Sequence, residues 1–541
     1  MAGTDRLWWQ SGVFYIVYTR SFMDSNGDGV GDLAGLIQKL DYLSDTLGVD
    51  AFWVAAIYPS PMADFGYDVS DYTGIHPLFG DLETFSELVT QAHRRGLKVI
   101  VDYIPNHSSD QHPWFGESCA SRQSPKRDWY IWADPKDGAP PNNWLSVFGG
   151  PAWEWHAPTG QYYLHSFLKE QPDLNWRHPG LKEAMFDVAR TWLERGVDGF
   201  RIDCAHHVIK DSLLRDNPPN PQRDLTAYKP LGEYDSQLHV YDRERPEAHA
   251  VWREFRQVLD AYSAGQPRAA FGEIHIFDWP RWAEYYGSEL DELHMPFNLG
   301  LVGAPWRVQT IRGVVDGIEA ALPPGAWPNY MLGNFDEPRI ASRYGPAAAR
   351  VAAMMLLTLR GTPTLCYGEE LGMTNVPIPR ELEQDPFGLR VPGLGRDPYR
   401  TPMQWDGGPH AGFSAAGTPR LWLPVAADYR QVNVEHELTQ PASMLNLYRR
   451  LIRYRRASPA LQAGRYRAID GVPADCYVYL REASGQRLLV ALNFSAQERR
   501  LTLPGGGRGS VVLSTRLDRE EPVPLWELVL RGDEGVIVEL S

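Results

Sequence analysis

The chain of 541 residues contains only four cysteines. Cys119, Cys204, Cys366 and Cys476 are scattered and form no CxxC pair, which argues against both a zinc site and a disulfide framework. No stretch approaches the roughly 18 consecutive apolar residues of a membrane span. The first residues, MAGTDRLWWQ, show no basic segment followed by an apolar run. We therefore expect a protein without disulfides or membrane segments, located in the cytoplasm.

Positive charge is also scarce. Lys and Arg number 53 against 68 Asp and Glu, so the formal net charge is -15. An acidic chain is a poor partner for polyanions, and we expect neither nucleic acid nor an anionic membrane as a partner. The 19 tryptophans could stack on sugars, but they equally suit the large core that a chain of this length buries.

Short apolar runs alternate with segments of helical periodicity, which indicates βα units and a parallel sheet. Such a segment runs from Leu33 to Leu47 and ends at Gly48. Eight units in one layer predict a closed (β/α)₈ barrel. The predicted strands are 14–18, 51–55, 98–102, 199–203, 269–273, 292–294, 330–333 and 364–367.

The barrel pattern is interrupted once and ends before the C-terminus. A segment rich in Trp, Pro, Asn and Gly, without a long helix, follows the third strand, and alternating strand patterns begin near residue 460. The predicted fold is thus an α/β barrel with an inserted subdomain after strand 3 and a C-terminal antiparallel β domain. The boundaries are 1–107 and 176–459 for the barrel, the latter with a long loop at about 372–430, 108–175 for the insert and 460–541 for the last domain.

Four predicted strands end in acidic residues: Asp102, Asp203, Glu273 and Asp336. Chemistry in such barrels gathers at the C-terminal ends of strands. Neighbouring carboxylates repel one another, so four such ends are hard to explain as packing alone. Paired carboxylates suit glycosidic bond cleavage. We expect Arg201, on the same strand face as Asp203, to keep Asp203 ionised, while Glu273 needs a raised pKa to hold its proton.

An early loop places oxygen donors at every second position, a spacing that suits a hard cation such as Ca²⁺ or Mg²⁺. It is not an EF-hand, because the twelfth position is Gly35, and a Gly/Asp-rich turn is the alternative. The candidate ligands are Asp24, Asn26, Asp28, Val30 through its carbonyl, and Asp32.

Five short motifs appear in order: DYIPNH (102–107), QPDLNW (171–176), GFRID (199–203), FGEI (271–274) and NxDxxR (334–339). With them the chain resembles, over nearly its whole length, the α-amylase family of glycoside hydrolases, and within it the bacterial α-glucosidase and oligo-1,6-glucosidase group. The resemblance implies a retaining, exo-acting α-glucosidase that releases glucose from maltose and short α-glucosides, with possible transglucosylation. It also implies a structural cation in the 24–32 loop, no organic cofactor, a small oligosaccharide or glucoside as partner, and a monomer or homodimer.

Roles follow from matching positions. The resemblance makes Asp203 the nucleophile, Glu273 the acid/base and Asp336 the stabiliser that holds sugar hydroxyls. Arg400, in RTPMQWD, matches an arginine that pairs with the aspartate equivalent to Asp64 and closes the pocket behind the terminal sugar. The implied substrate-binding residues are Asp64, Tyr67, His107, Phe167, Arg201, Phe335, Arg339 and Arg400.

Two positions depart from the family pattern. Phe335 stands where the family usually has a histidine that hydrogen-bonds glucose, so contacts worth about 1–3 kcal/mol are missing unless His294 compensates. We expect Phe335→His to raise kcat/KM on maltose. Cys204, after the nucleophile, matches neither the valine of α-1,6 enzymes nor the usual maltase residues, and its small size favours α-1,4 bonds.

Two alternatives stay open. The motifs HPWF (112–115) and RDWYIW (127–132) are also similar to trehalose synthase, so a transferring or isomerising relative, including a sucrose-acting one, is the first. The second is an inactive sugar-binding protein of the same fold, which Phe335 favours and the intact acids oppose.

Overall fold

The computed structural model describes residues 6–222, 229–483, 485–503 and 507–540. Eight strands are hydrogen-bonded in the order β7-β8-β1-β2-β3-β4-β5-β6, and all neighbours are parallel. The Nδ2 atom of Asn298 in β6 donates to the backbone oxygen of Asn329 in β7 at 2.5 Å and closes the ring. The predicted barrel is confirmed. Its strands are β1 Phe14–Tyr18, β2 Ala51–Ala55, β3 Lys98–Tyr103, β4 Gly199–Ile202, β5 Ala269–Ile274, β6 Phe297–Asn298, β7 Asn329–Met331 and β8 Thr362–Cys366.

Helices surround the barrel, so strands such as β1 and β2 are buried at every residue, as parallel strands covered on both faces are. The first predicted helical segment is an α-helix followed by a π-helical turn, Tyr42–Leu47, that ends at Gly48 with φ 85°. The α-helices are Trp8–Ser11, Leu33–Gln38, Leu82–Arg94, Pro113–Ala120, Pro179–Glu194, Ala248–Ala261, Trp279–Ala283, Val308–Ala321, Ile340–Tyr344, Pro346–Thr358, Pro386–Arg390, Val434–Thr439, Met444–Ala457 and Pro459–Ala463.

The sixth strand lies at Phe297–Asn298 and not at the predicted 292–294. Residues 292–294 form an irregular connection because their polar side chains serve other partners. Glu292 accepts hydrogen bonds from Arg253 at 2.6 Å and pairs with His249 at 2.8 Å. Pro296, which has no N–H to donate, stands immediately before the true strand.

The inserted subdomain lies over the carboxyl end of the barrel. It contains the helix Pro113–Ala120 and a three-stranded antiparallel sheet of Trp132–Ala133, Gln161–Leu164 and Trp153–His156. Buried Asp173 connects it to the loop after β3, because one carboxylate oxygen accepts from Asn106 at 3.1 Å and the other pairs with Lys210 at 2.7 Å. These contacts fix one wall of the site described below.

The C-terminal domain has its own apolar core between two antiparallel sheets. The larger sheet contains, in spatial order, Arg465–Ala468, Cys476–Ala483, Gln486–Asn493, Gly535–Leu540, Arg508–Ser514 and Pro522–Pro524, and the smaller pairs Arg499–Leu501 with Leu528–Leu530. Tyr479 contacts Thr358 of the barrel through their hydroxyl groups at 2.6 Å. Among the residues that the structure describes, no helix has the length and apolarity needed to cross a bilayer.

Candidate active site

A cavity of about 140 Å³ opens at the carboxyl ends of the barrel strands. It collects acidic, basic and aromatic side chains from the barrel, the insert and the long loop after β8. Its lining is Asp64, Tyr67, His107, Val147, Phe148, Phe167, Arg201, Asp203, Cys204, His207, Lys229, Leu231, Tyr234, Arg243, Glu273, His275, Asp336, Phe387 and Arg396.

Asp203 and Glu273 meet over one arginine. Arg201 donates from Nη1 to Asp203 Oδ1 at 2.7 Å and from Nη2 to Glu273 Oε2 at 2.5 Å. An oxygen of each carboxylate lies within 4.8 Å of the other. The strands explain this: Arg201 and Asp203 project from the same face of β4, and β5 is its parallel neighbour. A retaining displacement needs such closeness, with carboxyl groups about 5–5.5 Å apart.

Burial and neighbouring charges act on both acids of this pair. Burial raises the pKa of Asp203 despite Arg201, and the charge of Glu273 adds to the rise. Burial acts on Glu273 too, but Arg201 and His275 oppose it, since Arg201 contacts both acids and His275 Nε2 lies 3.1 Å from Glu273 Oε1. The two acids interact so closely that they titrate as a pair, and the division of roles between them stays a prediction.

Asp336, the third acid, is held by two arginines. Arg400 bonds Asp336 Oδ1 through Nη2 and donates from Nε to the backbone oxygen of Phe335 at 2.9 Å. Arg396 Nη1 reaches Asp336 Oδ1 at 3.2 Å, and its Nη2 reaches Asp64 Oδ1 at 2.7 Å. The predicted pairing of Arg400 with Asp64 is therefore wrong: Arg396, four residues earlier, makes that contact.

Arg396 is in turn fixed by Asp385 of the same loop. The Nε atom lies 3.1 and 3.0 Å from the two oxygens of Asp385, and Nη2 lies 2.6 Å from Oδ1. Burial would raise the pKa of Asp385, but Arg396 outweighs it and holds that pKa well below its usual range. One guanidinium thus connects Asp64, Asp336 and Asp385 at the inner end of the cavity.

The remaining predicted pocket residues Asp64, Tyr67, His107 and Phe167 all line the cavity. The His107 Nε2 atom lies 3.1 Å from the amide of Gln171, which also donates to Asp64 at 3.3 Å. Burial is the main cause that lowers the pKa of His107 to about 4, so it is neutral at pH 7. The neutral imidazole of His107, beside the amide of Gln171, is suited to hydrogen-bonding a sugar hydroxyl.

Phe335, Arg339 and His294 stand apart from the described cavity lining. The Phe335 ring, 1% exposed, stacks on Tyr18 with centroids 4.8 Å apart. Arg339 donates to the backbone oxygen of Tyr367 at 2.8 Å. His294 accepts from the backbone N–H of Ala270 in β5 at 3.1 Å, so it is placed to support a strand and not to replace a missing sugar contact.

Several lining residues escaped the sequence analysis. His275 lies two positions after Glu273, where strand alternation would have placed it on the same face. Lys229 donates to the backbone oxygen of Asp336 at 3.1 Å. Phe148 of the insert meets Phe387 of the long loop at 4.8 Å between centroids and makes an apolar mouth. No motif marks the last three, because they come from connections between barrel elements that meet only in the folded chain.

The loop at residues 24–32 offers oxygen donors only. Asp24 and Asp32 are buried, and no ion pair is found for either among the described residues. Burial chiefly raises the pKa of Asp32, and the charge of Asp24 adds to it. Both carboxylates also cap the loop, since Asp24 Oδ1 accepts from the N–H of Gly27 and Asp32 Oδ1 from that of Gly35. This donor set fits a hard cation, although the described chain does not gather Asp24, Asp28 and Asp32 within 4.8 Å of one another.

A (β/α)₈ barrel that brings an aspartate and a glutamate together over one arginine defines a glycoside hydrolase. Residues 16–464 match the family model of the alpha amylase catalytic domain, and the chain belongs to that family, as its motifs predicted. It is 41% identical to a probable alpha-glucosidase of Rhizobium meliloti (strain 1021), covering 96% of each chain. It is 36% identical to an oligo-1,6-glucosidase of Parageobacillus thermoglucosidasius, covering 99% of each.

Solved structures are similar over the whole chain. The alpha-glucosyl transfer enzyme XgtA superimposes with a TM-score of 0.92 at 40% identity, covering 99% of this chain and 100% of that one. A mutant isomaltulose synthase from Erwinia rhapontici NX5, in complex with sucrose, gives a TM-score of 0.90 at 33% identity, with both chains covered completely. The protein is an enzyme of the α-amylase family with α-glucosidase relatives.

Proposed function

We propose that this enzyme is a retaining, exo-acting α-glucosidase that releases α-glucose from the non-reducing end of maltose and short α-glucosides. The observation that carries the proposal is the pair of Asp203 and Glu273, bonded to the two ends of the Arg201 guanidinium inside one cavity. Such a pair can attack and protonate on opposite sides of one anomeric carbon.

The reaction needs Asp203 ionised and Glu273 protonated. In the first step Asp203 attacks the anomeric carbon, while Glu273 gives its proton to the departing glycosidic oxygen. In the second step Glu273 takes a proton from water, which attacks the same carbon and frees Asp203. A sugar oxygen that approaches Glu273 favours the proton on that acid, since it accepts a hydrogen bond only from the protonated carboxyl group.

Exo action is supported by the ion pairs at the inner end of the cavity. Arg396 connects Asp64, Asp336 and Asp385, and Arg400 also pairs with Asp336. We infer that this charged wall stops a sugar chain from continuing past the terminal sugar. The same carboxylates can accept hydrogen bonds from that sugar's hydroxyl groups.

Transfer of the glucosyl unit to another hydroxyl is the second candidate. Phe148 and Phe387 give the mouth apolar walls, and an apolar mouth favours an ordered organic acceptor over water. Its relatives include an alpha-glucosyl transfer enzyme and an isomaltulose synthase. We infer that hydrolysis and transfer share the glucosyl-Asp203 intermediate.

One product profile tests these proposals. Maltose, isomaltose, sucrose and trehalose are supplied separately, and products and anomeric configuration are followed by NMR. We expect α-glucose to appear first from maltose. If trehalose or a sucrose isomer were the main product, the proposed hydrolase would instead be an isomerase. If β-glucose were the first product, a retaining mechanism would be excluded. Glu273→Gln should lose at least about 10²-fold in kcat, the lower end of what general acid catalysis contributes.

We also propose that the 24–32 loop binds a structural Ca²⁺ or Mg²⁺ through Asp24, Asn26, Asp28, Asp32 and the carbonyl of Val30. Two buried carboxylates without a cationic partner among the described residues support this. The ion would supply the opposite charge and stiffen the loop, which contacts the long loop where Ser414 Oγ donates to Asp24 at 2.5 Å.

A further inference from the structure

The catalytic cluster contains a thiol as well as acids. Cys204 follows Asp203 with φ 41°, a left-handed conformation, and lines the cavity. Its Sγ atom lies 3.8 Å from Glu273 Oε2. One donor atom each from Asp203, Cys204 and Glu273 lie within 4.8 Å of one another. His275 extends the cluster, with Nε2 3.1 Å from Glu273 Oε1.

These donors have the types and spacing of a ligand set for a borderline-soft metal ion. Zn²⁺ takes sulfur at about 2.3 Å, nitrogen at about 2.0–2.1 Å and carboxylate oxygen at about 2.0–2.2 Å in tetrahedral geometry, which separates neighbouring ligand atoms by about 3.5 Å. The observed Sγ–Oε2 distance of 3.8 Å is close to that value. Carboxylates alone would favour harder ions, so Cys204 and His275 shift the preference towards zinc and cadmium.

Charge alone does not bring a cation to this cluster. The cavity lining has as many basic as acidic side chains, so its formal charge is zero: Asp64, Asp203, Glu273 and Asp336 against Arg201, Lys229, Arg243 and Arg396. An ion must therefore be held by direct bonds to the thiol and the neighbouring ligands. Arg201 contacts both Asp203 and Glu273, and these contacts must lengthen when an ion binds.

We propose that the empty active site reversibly binds a thiophilic divalent cation, Zn²⁺ or Cd²⁺, through Cys204, Asp203, Glu273 and His275, and that this ion inhibits the enzyme. The inhibition rests on the proposed function, whereas the binding of the metal ion does not. On binding, the metal–sulfur bond replaces the S–H bond and the thiol proton goes to solvent, as does any proton held by the two acids. The ion then occupies the lone pairs needed for attack and protonation.

Two measurements test the proposal. Cd²⁺ is titrated into the enzyme in Ca²⁺-containing buffer, and the sulfur-to-metal charge-transfer absorption is recorded. Wild type and the control Cys119→Ser should show the band, whereas Cys204→Ser and Cys204→Ala should lack it. Excess glucose should remove the band in wild type. Because thiol and acid lose protons, the apparent affinity should rise with pH.

Inhibition by Zn²⁺ is the second measurement. The Zn²⁺ concentration for half-inhibition of p-nitrophenyl α-glucoside hydrolysis should rise at least tenfold in Cys204→Ser, measured against that variant's own activity, and stay unchanged in Cys119→Ser. An unaltered band or half-inhibition value in Cys204→Ser, with the fold intact by circular dichroism, would overturn the proposal. A glucose-sensitive band in an enzyme without glucosidase turnover would instead overturn only the proposed function.

Discussion

Apart from the reacting acids Asp203 and Glu273, Arg396 is the residue whose replacement should lower stability and activity most. It contacts three buried or half-buried carboxylates, Asp64 at 2.7 Å, Asp336 at 3.2 Å and Asp385 at 2.6 Å. Arg396→Met keeps much of the side-chain volume and removes the charge. Of the three acids, only Asp336 then keeps an arginine, Arg400. Removing one partner of a buried ion pair lowers the free energy of unfolding by about 3–5 kcal/mol, because the other charge stays buried without compensation.

We therefore expect two losses in Arg396→Met. The free energy of unfolding at pH 7 should fall by about 3 kcal/mol, and kcat/KM on maltose by about 10²-fold or more, since 1.36 kcal/mol is tenfold in rate. The depressed pKa of Asp385 gives stability that is present above that residue's usual pKa and lost only in strong acid, so the defect should shrink as pH falls below about 4.

Urea unfolding and steady-state kinetics measure these losses. Arg390→Met is the matched control, because Arg390 lies in the same loop and its nearest acidic group, Glu170, is 3.9 Å away. If Arg396→Met resembled the control in both assays, Arg396 would not be the residue that holds the inner wall, and the argument for exo action would fail.

Three further predictions concern other parts of the protein. Phe335→His should lower Tm without raising kcat/KM on maltose, because it places an imidazole in an aromatic stack outside the cavity; a higher kcat/KM would restore the sequence-based expectation. EDTA should lower Tm in wild type but not in Asp24→Asn, and a metal-free protein with unchanged Tm would contradict the cation site. Burial raises the pKa of Glu369 to about 8, so wild type binds more protons folded than unfolded and loses stability as pH rises from about 4.5 to about 8. Glu369→Gln should become more stable relative to wild type over that range, and a parallel pH dependence of the two would refute this.

The barrel could be predicted from the sequence because each buried parallel strand is a short apolar run between helical segments. That signal failed only at β6, which is two residues long. The predicted strand at 292–294 contains one apolar residue, Leu293, between Glu292 and His294, whose side chains hydrogen-bond to other groups. A strand of two residues, Phe297–Asn298, carries no periodicity, so only the tertiary structure distinguishes it from its neighbours.

The acids of the site could be predicted for a related reason. Asp203 directly follows β4 and Glu273 is the penultimate residue of β5, and the ends of parallel strands meet at one edge. Arg396 and Lys229 belong to long connections whose path is set by contacts with the insert and with each other. Assigning Arg400 to Asp64 failed because two arginines, one helical turn apart in sequence, both reach the same group of carboxylates.

Repulsion between neighbouring acids connects the stability and the function of this site. Burial raises the pKa of Asp203, and the charges of Glu273, Asp102 and Asp336 add to the rise, so the folded protein bears a destabilising cluster. Positive charge relieves that repulsion wherever it arises at the cluster. The oxocarbenium-like transition state develops such charge on the sugar and is stabilised relative to the neutral ground state. A bound divalent metal ion would bring positive charge to the same place without reacting. A site that stabilises this transition state can therefore also be blocked by a thiophilic cation, provided that Cys204 is present to bind it.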